Sequence, residues 1–335
     1  MNPALRIHSH AAQHESARPD KSGPTKNMAA ALIAIDWGTS SARAYRLDAR
    51  GRILDEQSAP LGVQKVEPGE FPQALTALLG ADVPERVPMI ACGMIGSRQG
   101  WIEAPYRDCP ADFDGFAAAL TPIPGTRLWL VPGLVCRDAD GVPDVMRGEE
   151  TQIMGALDDE TWAQAAPRVI VLPGTHSKWA LVRGRTIQTF ATFMTGELYA
   201  VLCEHSILGR LASADGRAES AALERGARLS LRDAAALLHD LFSARTLALT
   251  GALAPEAVAD YLSGLLLGAE VAAGRRWLET HAVTGESVIL VGEAALCERY
   301  RRALALAGIE AAMGAPDAAA RGLWRIALHS GMVAR

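Results

Sequence analysis

A short turn near the start of the chain combines one carboxylate, one glycine and several hydroxyl groups. The turn follows the apolar run 32–35. It contains Asp36 and, two positions later, Gly38, and these are followed by Thr39 and Ser40. A glycine lets the backbone approach a ligand closely, while exposed amide and hydroxyl groups can hold phosphate oxygens. Asp36 stands where a carboxylate could orient hydrated Mg²⁺. The turn therefore predicts a site for nucleotide phosphates, the alternative being an ordinary polar hairpin turn.

The segment 169–182, VIVLPGTHSKWALV, repeats the plan of the first turn. An apolar β-branched run leads into Gly174, Thr175 and His176, and a second apolar run follows. Two similar turns, one in each half, are typical of a duplicated fold whose tips face each other across a cleft, although two short hairpins can also match by chance. The second tip has no aspartate, so a metal role belongs to the first. Lys178 could meet a transferring phosphate as a point charge.

Two adjacent carboxylates, Glu149 and Glu150, directly follow a glycine at the start of a helix-like segment. Carboxylates in the first turn of a helix complement the helix dipole, and that role alone would account for them. The alternative is that one of them points into the cleft as a general base. The residue pattern leaves open which of the two would act.

A polar and aromatic loop follows the predicted buried strand 89–95. It contains Gly96, Ser97, Arg98 and Trp101. Because α/β folds place ligand sites in loops after the carboxyl ends of their strands, these four residues are candidates for substrate binding. The alternative is a solvated surface loop.

A second candidate substrate segment begins where a strand-like run meets a helix, at 192–199. Thr195 is suited to cap that helix, and its capping and functional roles are hard to separate. Glu197 lies in the first turn of the same helix. We expect both residues near the substrate.

These residues need a scaffold, and the hydrophobic pattern predicts an α/β one. Buried strands are expected at 32–35, 128–131, 169–172 and 287–291, and helices at 71–79 and 317–333. The Ala/Leu-rich stretch 219–277 predicts several helices, including a core helix over 260–273. After the last strand, Gly292 would let a flat ring such as adenosine lie on the backbone.

Length and composition set the broad class of protein. At 335 residues, 49% of them apolar, the chain can bury a large core and is long enough for two domains. A formal net charge of -5, with scattered Lys and Arg, argues against a nucleic-acid partner. Five dispersed cysteines predict reduced thiols in a cytoplasmic protein. No apolar run reaches the ~18 residues of a membrane span, so no membrane partner is expected.

The first 27 residues are polar and rich in His, Ser and Pro. They lack the apolar stretch of a signal peptide, so we expect a disordered extension, with Met28 as an alternative start. The rest of the chain is expected to form two domains, 28–150 and 151–335. A homodimer is compatible with this pattern.

The order of these motifs resembles the sugar kinase, Hsp70 and actin superfamily of ATP-binding folds. More closely, the chain resembles the 2-dehydro-3-deoxygalactonokinases. The resemblance rests on the blocks AIDWGTSSARAY, ACGMIGSRQGW with IEAPY, VMRGEETQIMGA, LPGTHSKW and TGELYAVLCEHSILG. It implies a two-domain actin-like ATPase fold of ribonuclease H-like topology, with duplicated mixed sheets flanked by helices and an interdomain cleft. It also implies ATP-dependent phosphorylation of 2-dehydro-3-deoxy-D-galactonate at its 6-hydroxyl, a step in galactonate breakdown.

The resemblance also assigns roles to single residues. The first phosphate motif is matched by Asp36, Gly38, Thr39 and Ser40, and the second by Gly174, Thr175 and His176. Glu149 or Glu150 falls where related sugar kinases carry a catalytic aspartate, and Glu150 is the first candidate for the base. Gly292 occupies the adenosine motif, although Glu293 departs from the small residues usual there. Because the implied substrate carries a carboxylate, Arg98 is the candidate for binding it.

Three other functions stay open. A kinase for another small polyol or sugar acid would keep both turns and differ in regions 93–106 and 192–210. An ATP-driven binding or assembly module would hydrolyse ATP without an acceptor. A phosphohydrolase would release phosphate from phosphoanhydrides without forming a phosphorylated sugar.

Overall fold

The computed structural model describes five stretches of the chain: 29–80, 86–158, 166–213, 220–284 and 287–334. The expected disordered extension, 1–27, lies outside them. The strands β1 to β15 are Leu32–Trp37, Ala42–Leu47, Ile53–Ala59, Met89–Gly93, Tyr106–Asp108, Ala111–Asp112, Thr121–Pro122, Leu128–Leu130, Gly133–Arg137, Pro143–Met146, Pro167–Leu172, Ser177–Arg183, Thr186–Phe193, Ser287–Leu290 and Glu310–Met313. The helices α1 to α10 are Phe71–Leu79, Phe113–Ala118, Glu149–Ala156, Thr195–His205, Ser220–Arg232, Leu237–Asp240, Ser243–Leu249, Val258–Thr280, Ala294–Leu306 and Ala318–His329.

Two large sheets share one strand order. In the first, β3-β2-β1 form an antiparallel meander, and β4 and β8 then extend the sheet in parallel with β1. In the second, β13-β12-β11 form the meander, and β14 and β15 extend it in parallel with β11. Short strands, β7 and β6, complete the two edges. This repetition confirms the duplicated, mixed-sheet α/β fold of the actin-like type.

The space between the two sheets is filled by a pair of crossing helices, α3 and α10. One continuous apolar core joins Leu32 and Ile90 of the first sheet, Ile170 of the second, and buried residues of both helices. The helices touch through glycines: a Cβ on Gly155 would lie 1.8 Å from the Ala318 carbonyl oxygen. The carboxy-terminal helix therefore packs back onto the first sheet.

The outer face of each sheet has its own helical layer. Helix α1 covers the first sheet, and α8 and α9 cover the second. Helix α8 and the turn before it, Pro255–Thr280, are long and apolar enough to cross a membrane by length and composition, but 83% of the apolar window is buried inside the protein. It is the expected core helix. Gly264 and Gly268 let α5 approach it closely.

A small third sheet, β10-β9-β5, connects the first sheet to α3. Strand β10 ends at Met146, and α3 begins three residues later. The intervening Gly148 has φ +108°, a backbone conformation that strongly favours glycine. This bend sets the direction in which the first residues of α3 point. The expected domain boundary at 150/151 falls inside α3 and stays a prediction.

Candidate active site

The first turn joins β1 to β2 and is held from one side by residues 62–64. The Gly38 amide donates to the Ser41 carbonyl oxygen at 2.9 Å, closing the turn, while the Val63 amide donates to the Gly38 carbonyl oxygen at 3.1 Å. Thr39 and Ser40 are exposed. Their hydroxyl groups are therefore accessible at the tip, as a phosphate-binding turn requires.

Asp36 lies at the carboxyl end of β1, beneath this turn. Burial raises the pKa of its carboxyl group, the positive charge of Arg43 opposes that shift, and the nearby negative charge of Glu149 adds to it. Arg43 is the direct cross-strand partner of Asp36 on β2. Asp36 and Glu149 belong to the first half of the molecule, which is built on the first sheet and α3. Both carboxylates therefore lie in the same charged environment as Arg43.

The two adjacent glutamates at the start of α3 have different surroundings. Glu150 is fully buried, and its carboxyl group accepts hydrogen bonds from the Gly148 amide at 2.6 Å and the Thr151 hydroxyl at 3.1 Å. Burial first, and then the charge of Glu149, raise its pKa to about 8. The Glu149 side chain keeps 28% of its surface exposed and accepts from the Arg147 amide at 3.0 Å.

Lys178 bridges the two halves of the molecule. It is the second residue of β12, just after the second turn. It pairs with Leu172 of β11 in the sheet register and is almost fully buried. Its Nζ lies 3.6 Å from Glu149 Oε1 and 3.3 Å from the His176 carbonyl oxygen. A cation of the second half therefore faces a carboxylate of the first.

The second turn packs against the start of α4. The Glu197 amide donates to the Thr175 carbonyl oxygen at 2.9 Å, and the His176 ring pairs with the Glu197 carboxylate. Gly196 lies so close to the turn that a Cβ there would approach the Gly174 carbonyl oxygen to 2.3 Å. The segment Thr195–Glu197 thus contacts the second turn.

Thr195 is not the cap of α4, contrary to the sequence interpretation. Met194 occupies the N-cap position, and no side chain caps the helix. The Thr195 side chain instead hydrogen-bonds to Glu270, a buried acid on α8. The local sequence suggested a cap because threonine is common there, but a distant carboxylate takes up its hydroxyl.

Glu270 is a buried residue that the sequence reasoning missed. Its carboxylate accepts hydrogen bonds from Ser177 Oγ at 2.5 Å, Trp179 Nε1 at 2.9 Å and the Tyr300 hydroxyl at 2.8 Å. Burial raises its pKa, and these hydrogen bonds counteract the rise. It ties β12, α4 and α9 to α8, directly behind the second turn. The available signal was a single charged residue inside the stretch 261–274, which is otherwise uncharged and mostly apolar.

A cleft of about 480 Å³ opens between the two halves. The first half contributes Asp36, Gly38, Ser41, Arg43, Tyr45 and Gln152, and the second contributes Pro173, Val291, Gly292, Glu293 and residues 315–319. Arg43, Tyr45 and Gln152 were not among the expected site residues, although Arg43 and Tyr45 alternate with buried alanines on β2 and so face one side. Both sheets therefore line one cavity.

Gly292 joins the second turn to this cleft. A Cβ at Gly292 would lie 3.3 Å from the Pro173 carbonyl oxygen, so the two strand ends are adjacent. Glu293, the unusual residue of this motif, accepts from the Ala295 and Leu296 amides at 2.9 and 2.8 Å and so caps α9. The Glu293 carboxylate occupies the N-terminus of α9. This explains why position 293 does not require the small residue that is usual in the adenosine motif.

The expected substrate loop divides into inward and outward residues. Arg98 points outward: its side chain is 88% exposed and its nearest acid is Glu103, at 3.6 Å. Trp101 stacks on Phe71 with ring centroids 6.0 Å apart and so packs against α1. Gly96 is buried against Arg147, and the Ser97 hydroxyl oxygen is also buried. Of these four residues, only Gly96 and Ser97 face the interior near α3.

A divalent cation fits the first-half carboxylates. Within the described ranges, no group of three or more His, Cys, Asp or Glu side chains could hold a metal by itself. Asp36 and Glu149 lie close enough for one charge to raise the other's pKa. Asp36, at the carboxyl end of β1, suits Mg²⁺, which usually takes one or two carboxylates and completes its shell with water and substrate phosphates.

Comparison with known proteins places this chain in a family. The family model described as 2-keto-3-deoxy-galactonokinase matches residues 36–326. An Escherichia coli (strain K12) protein named 2-dehydro-3-deoxygalactonokinase is 38% identical over 297 residues, covering 87% of this chain and 95% of that protein. A relative from Rhizobium meliloti (strain 1021) is 37% identical over 308 residues, covering 87% of this chain and 97% of that protein.

The solved structures agree with the sequence comparisons. A crystal structure from Sinorhizobium meliloti, described as a candidate 2-dehydro-3-deoxygalactonokinase, superposes with a TM-score of 0.78 at 34% identity, covering 88% of this chain and 98% of that one. The family match spans both turns, the glutamate pair and Gly292. The chain belongs to the 2-keto-3-deoxy-galactonokinase family.

Proposed function

We propose that this protein uses ATP to phosphorylate 2-dehydro-3-deoxy-D-galactonate at its 6-hydroxyl, a step in galactonate breakdown. The observation that carries the proposal is the cleft shared by both halves, with Asp36 and Gly38 on one wall and Pro173 and Gly292 on the other. Family membership supplies the substrate, since a relative at 38% identity carries that name.

The two turns take the polyphosphate of ATP, and Gly292 lies on the adenosine side. The exposed tips, Thr39 and Ser40 on one turn and Thr175 and His176 on the other, offer hydroxyl, amide and imidazole groups. Asp36 would hold Mg²⁺ through water, and the ion would neutralise charge on the phosphates. Positioning and electrostatic stabilisation provide most of the catalysis in phosphoryl transfer.

We assign the general base to Glu149 and give Glu150 a structural role. A base must come within hydrogen-bond reach of the proton it removes. Glu149 is partly exposed and faces Lys178, whereas Glu150 is fully buried and both of its oxygens already accept hydrogen bonds. This reverses the preference drawn from the sequence.

Lys178 is proposed to stabilise the transferring phosphoryl group. Its ammonium group lies between the second turn and Glu149, where negative charge would build up during transfer. When substrate separates this ion pair, Glu149 can accept the hydroxyl proton while Lys178 turns to the phosphate oxygens.

A coupled ADP-release assay tests the activity. Wild-type protein is given the 2-keto-3-deoxy acids derived from galactonate and from gluconate in parallel reactions, with Glu149→Gln as the inactive control. We expect ADP and a 6-phosphorylated product with the galactonate-derived acid. Equal ADP release with and without any acid would reject the kinase and favour a plain ATPase.

A cytoplasmic location and a homodimer belong to this proposal as well. All five cysteines are free thiols, as in proteins of reducing compartments. The dimer stays a prediction, to be checked by light scattering of the purified protein.

A further inference from the structure

Arg147 is a buried arginine with two unpartnered nitrogen atoms. It lies between β10 and α3, two residues before Glu149, and only 8% of the residue is exposed. Its Nη2 donates to the Ala104 carbonyl oxygen at 2.8 Å, but Nε and Nη1 have no hydrogen-bond partner. Because a guanidinium group is always charged, leaving two of its donors buried and unsatisfied is costly.

The surroundings of Arg147 contain a second unpartnered group. The Ser97 hydroxyl oxygen is also buried without a partner. It adjoins Gly96, where a Cβ would lie 3.0 Å from Arg147 Nη1. The Tyr106 ring covers the guanidinium, 4.3 Å from Cζ to the ring centroid. The segment 96–106 therefore supplies an unpartnered hydroxyl group, a glycine that makes room for the guanidinium and an aromatic cover.

We propose that Arg147 and Ser97 bind the carboxylate of the sugar acid. This inference rests on the proposed function and deepens it by naming the group that recognises the acid. Nη2 keeps a second N–H besides the one given to Ala104, and with one of the two free nitrogens it forms a two-donor edge, the fork that pairs with both oxygens of a carboxylate. The Ser97 hydroxyl adds a third donor. Because both groups are buried, binding requires that the loop over them moves aside.

The position of Arg147 agrees with the reaction. Arg147 and Glu149 are two residues apart, so their Cα atoms are separated by at most about 7 Å. A small sugar acid can then reach Arg147 with its carboxylate while its far hydroxyl faces Glu149. Arg98, the earlier candidate, is 88% exposed and lies beside Glu103, so it has no comparable preference for an anion.

The test compares the acid with its neutral carboxamide. For wild type, Arg147→Lys, Arg147→Gln and Ser97→Ala, kcat/KM is measured with each acceptor at saturating ATP, together with KM for ATP and the thermal midpoint. Wild type should prefer the acid by roughly ten- to a hundredfold, the size of a hydrogen bond to a charged group. Arg147→Gln should bring that ratio close to one, and Ser97→Ala should lower it severalfold. KM for ATP should change less than about twofold.

Two comparison variants make the result decisive. Arg137→Gln, a surface arginine paired with Asp108, should keep the wild-type ratio. If Arg98→Ala abolishes the preference and Ser97→Ala and Arg147→Lys retain it, the inference is overturned. Should Arg147→Gln fail to fold, Arg147→Lys, which keeps the charge but loses the fork, and Ser97→Ala decide. A wild type that neither binds nor phosphorylates the acid would reject the proposed function itself.

Discussion

At the start of α3, the adjacent residues Glu149 and Glu150 have opposite environments. Gly148 turns the backbone so that Glu149 faces Lys178, while Glu150 folds back onto the Gly148 amide. Burial then makes the charge of Glu150 expensive and leaves Glu149 available. The pair therefore combines one candidate base with one buried, hydrogen-bonded carboxyl group.

Exchanging each carboxyl group for its amide should separate these roles. We expect Glu149→Gln to lower kcat by roughly 10²- to 10⁴-fold, the usual effect of losing a general base, with ATP still binding. Glu150→Gln should lower kcat by less than about tenfold, because its oxygens do not reach the substrate. Steady-state kinetics and a nucleotide-binding titration measure both; the reverse order of effects would return the base to Glu150.

The raised pKa of Glu150 also predicts how stability changes with pH. The folded protein holds the proton up to about pH 8, whereas the unfolded chain releases it near 4.5. Between these values the folded state binds more protons, so this residue lowers the free energy of unfolding as pH rises. Thermal midpoints from pH 4.5 to 8 should fall more steeply for wild type than for Glu150→Gln. Parallel curves would contradict the assignment.

Sequence reasoning named candidate site residues but not their orientation. Asp36 and Gly292 were chosen by type and spacing and line one cleft, while Glu149 and Lys178 face each other across the two halves. Which glutamate faces Lys178 depends on one glycine dihedral angle, a property of backbone geometry. Arg147 was missed because its unpaired nitrogens are visible only once the fold buries them.

At the scale of elements, the two turns owe their shape to glycine and to what lies behind them. Gly174 has open space where a side chain would stand, whereas Gly196 contacts the turn directly. In the proposed function, phosphate approaches the turn through this open space. The same residue type therefore serves ligand access at one position and packing at the other.

Substituting these two glycines should give contrasting results. Gly174→Ala should fold with an unchanged thermal midpoint, because nothing lies within 4 Å of the new methyl group, but should weaken binding of an ATP analogue by about tenfold or more. Gly196→Ala should lower the midpoint, since its Cβ would clash with the Gly174 carbonyl oxygen. Scanning calorimetry and a binding titration measure both. Normal ATP affinity in Gly174→Ala would argue against the turn as a phosphate site.

Regular elements were predictable where hydrophobic periodicity decides them. Helix α1 has the expected bounds, and the strands around both turns and the core helix α8 form where the apolar runs lie. The cap of α4 was predicted wrongly because a buried acid 75 positions away in the chain, Glu270, takes up the Thr195 hydroxyl. Local patterns carry no information about such a partner.

For the whole molecule, the repeated turn motif correctly indicated a duplicated fold. In each half, a helix follows the five strands that the two sheets have in common. It is α3 in the first half and α10 in the second, and these equivalent helices cross between the sheets. The sequence pattern predicted a helix over 317–333. It did not indicate that this helix packs against the first sheet, because that contact joins the two ends of the chain.

The crossing of α3 and α10 predicts that glycine substitutions there weaken both halves together. In a free helix, Gly→Ala would be favourable by about 1 kcal/mol. In Gly322→Ala, however, the new Cβ would lie 1.9 Å from the Thr151 carbonyl oxygen, so the helices must separate. We expect an overpacking cost of about 1–3 kcal/mol in urea unfolding, with kcat reduced because α3 carries Glu149. Gly155→Ala, on the facing helix, should behave alike, and a stabilised protein from either would show that the helices do not meet at these glycines.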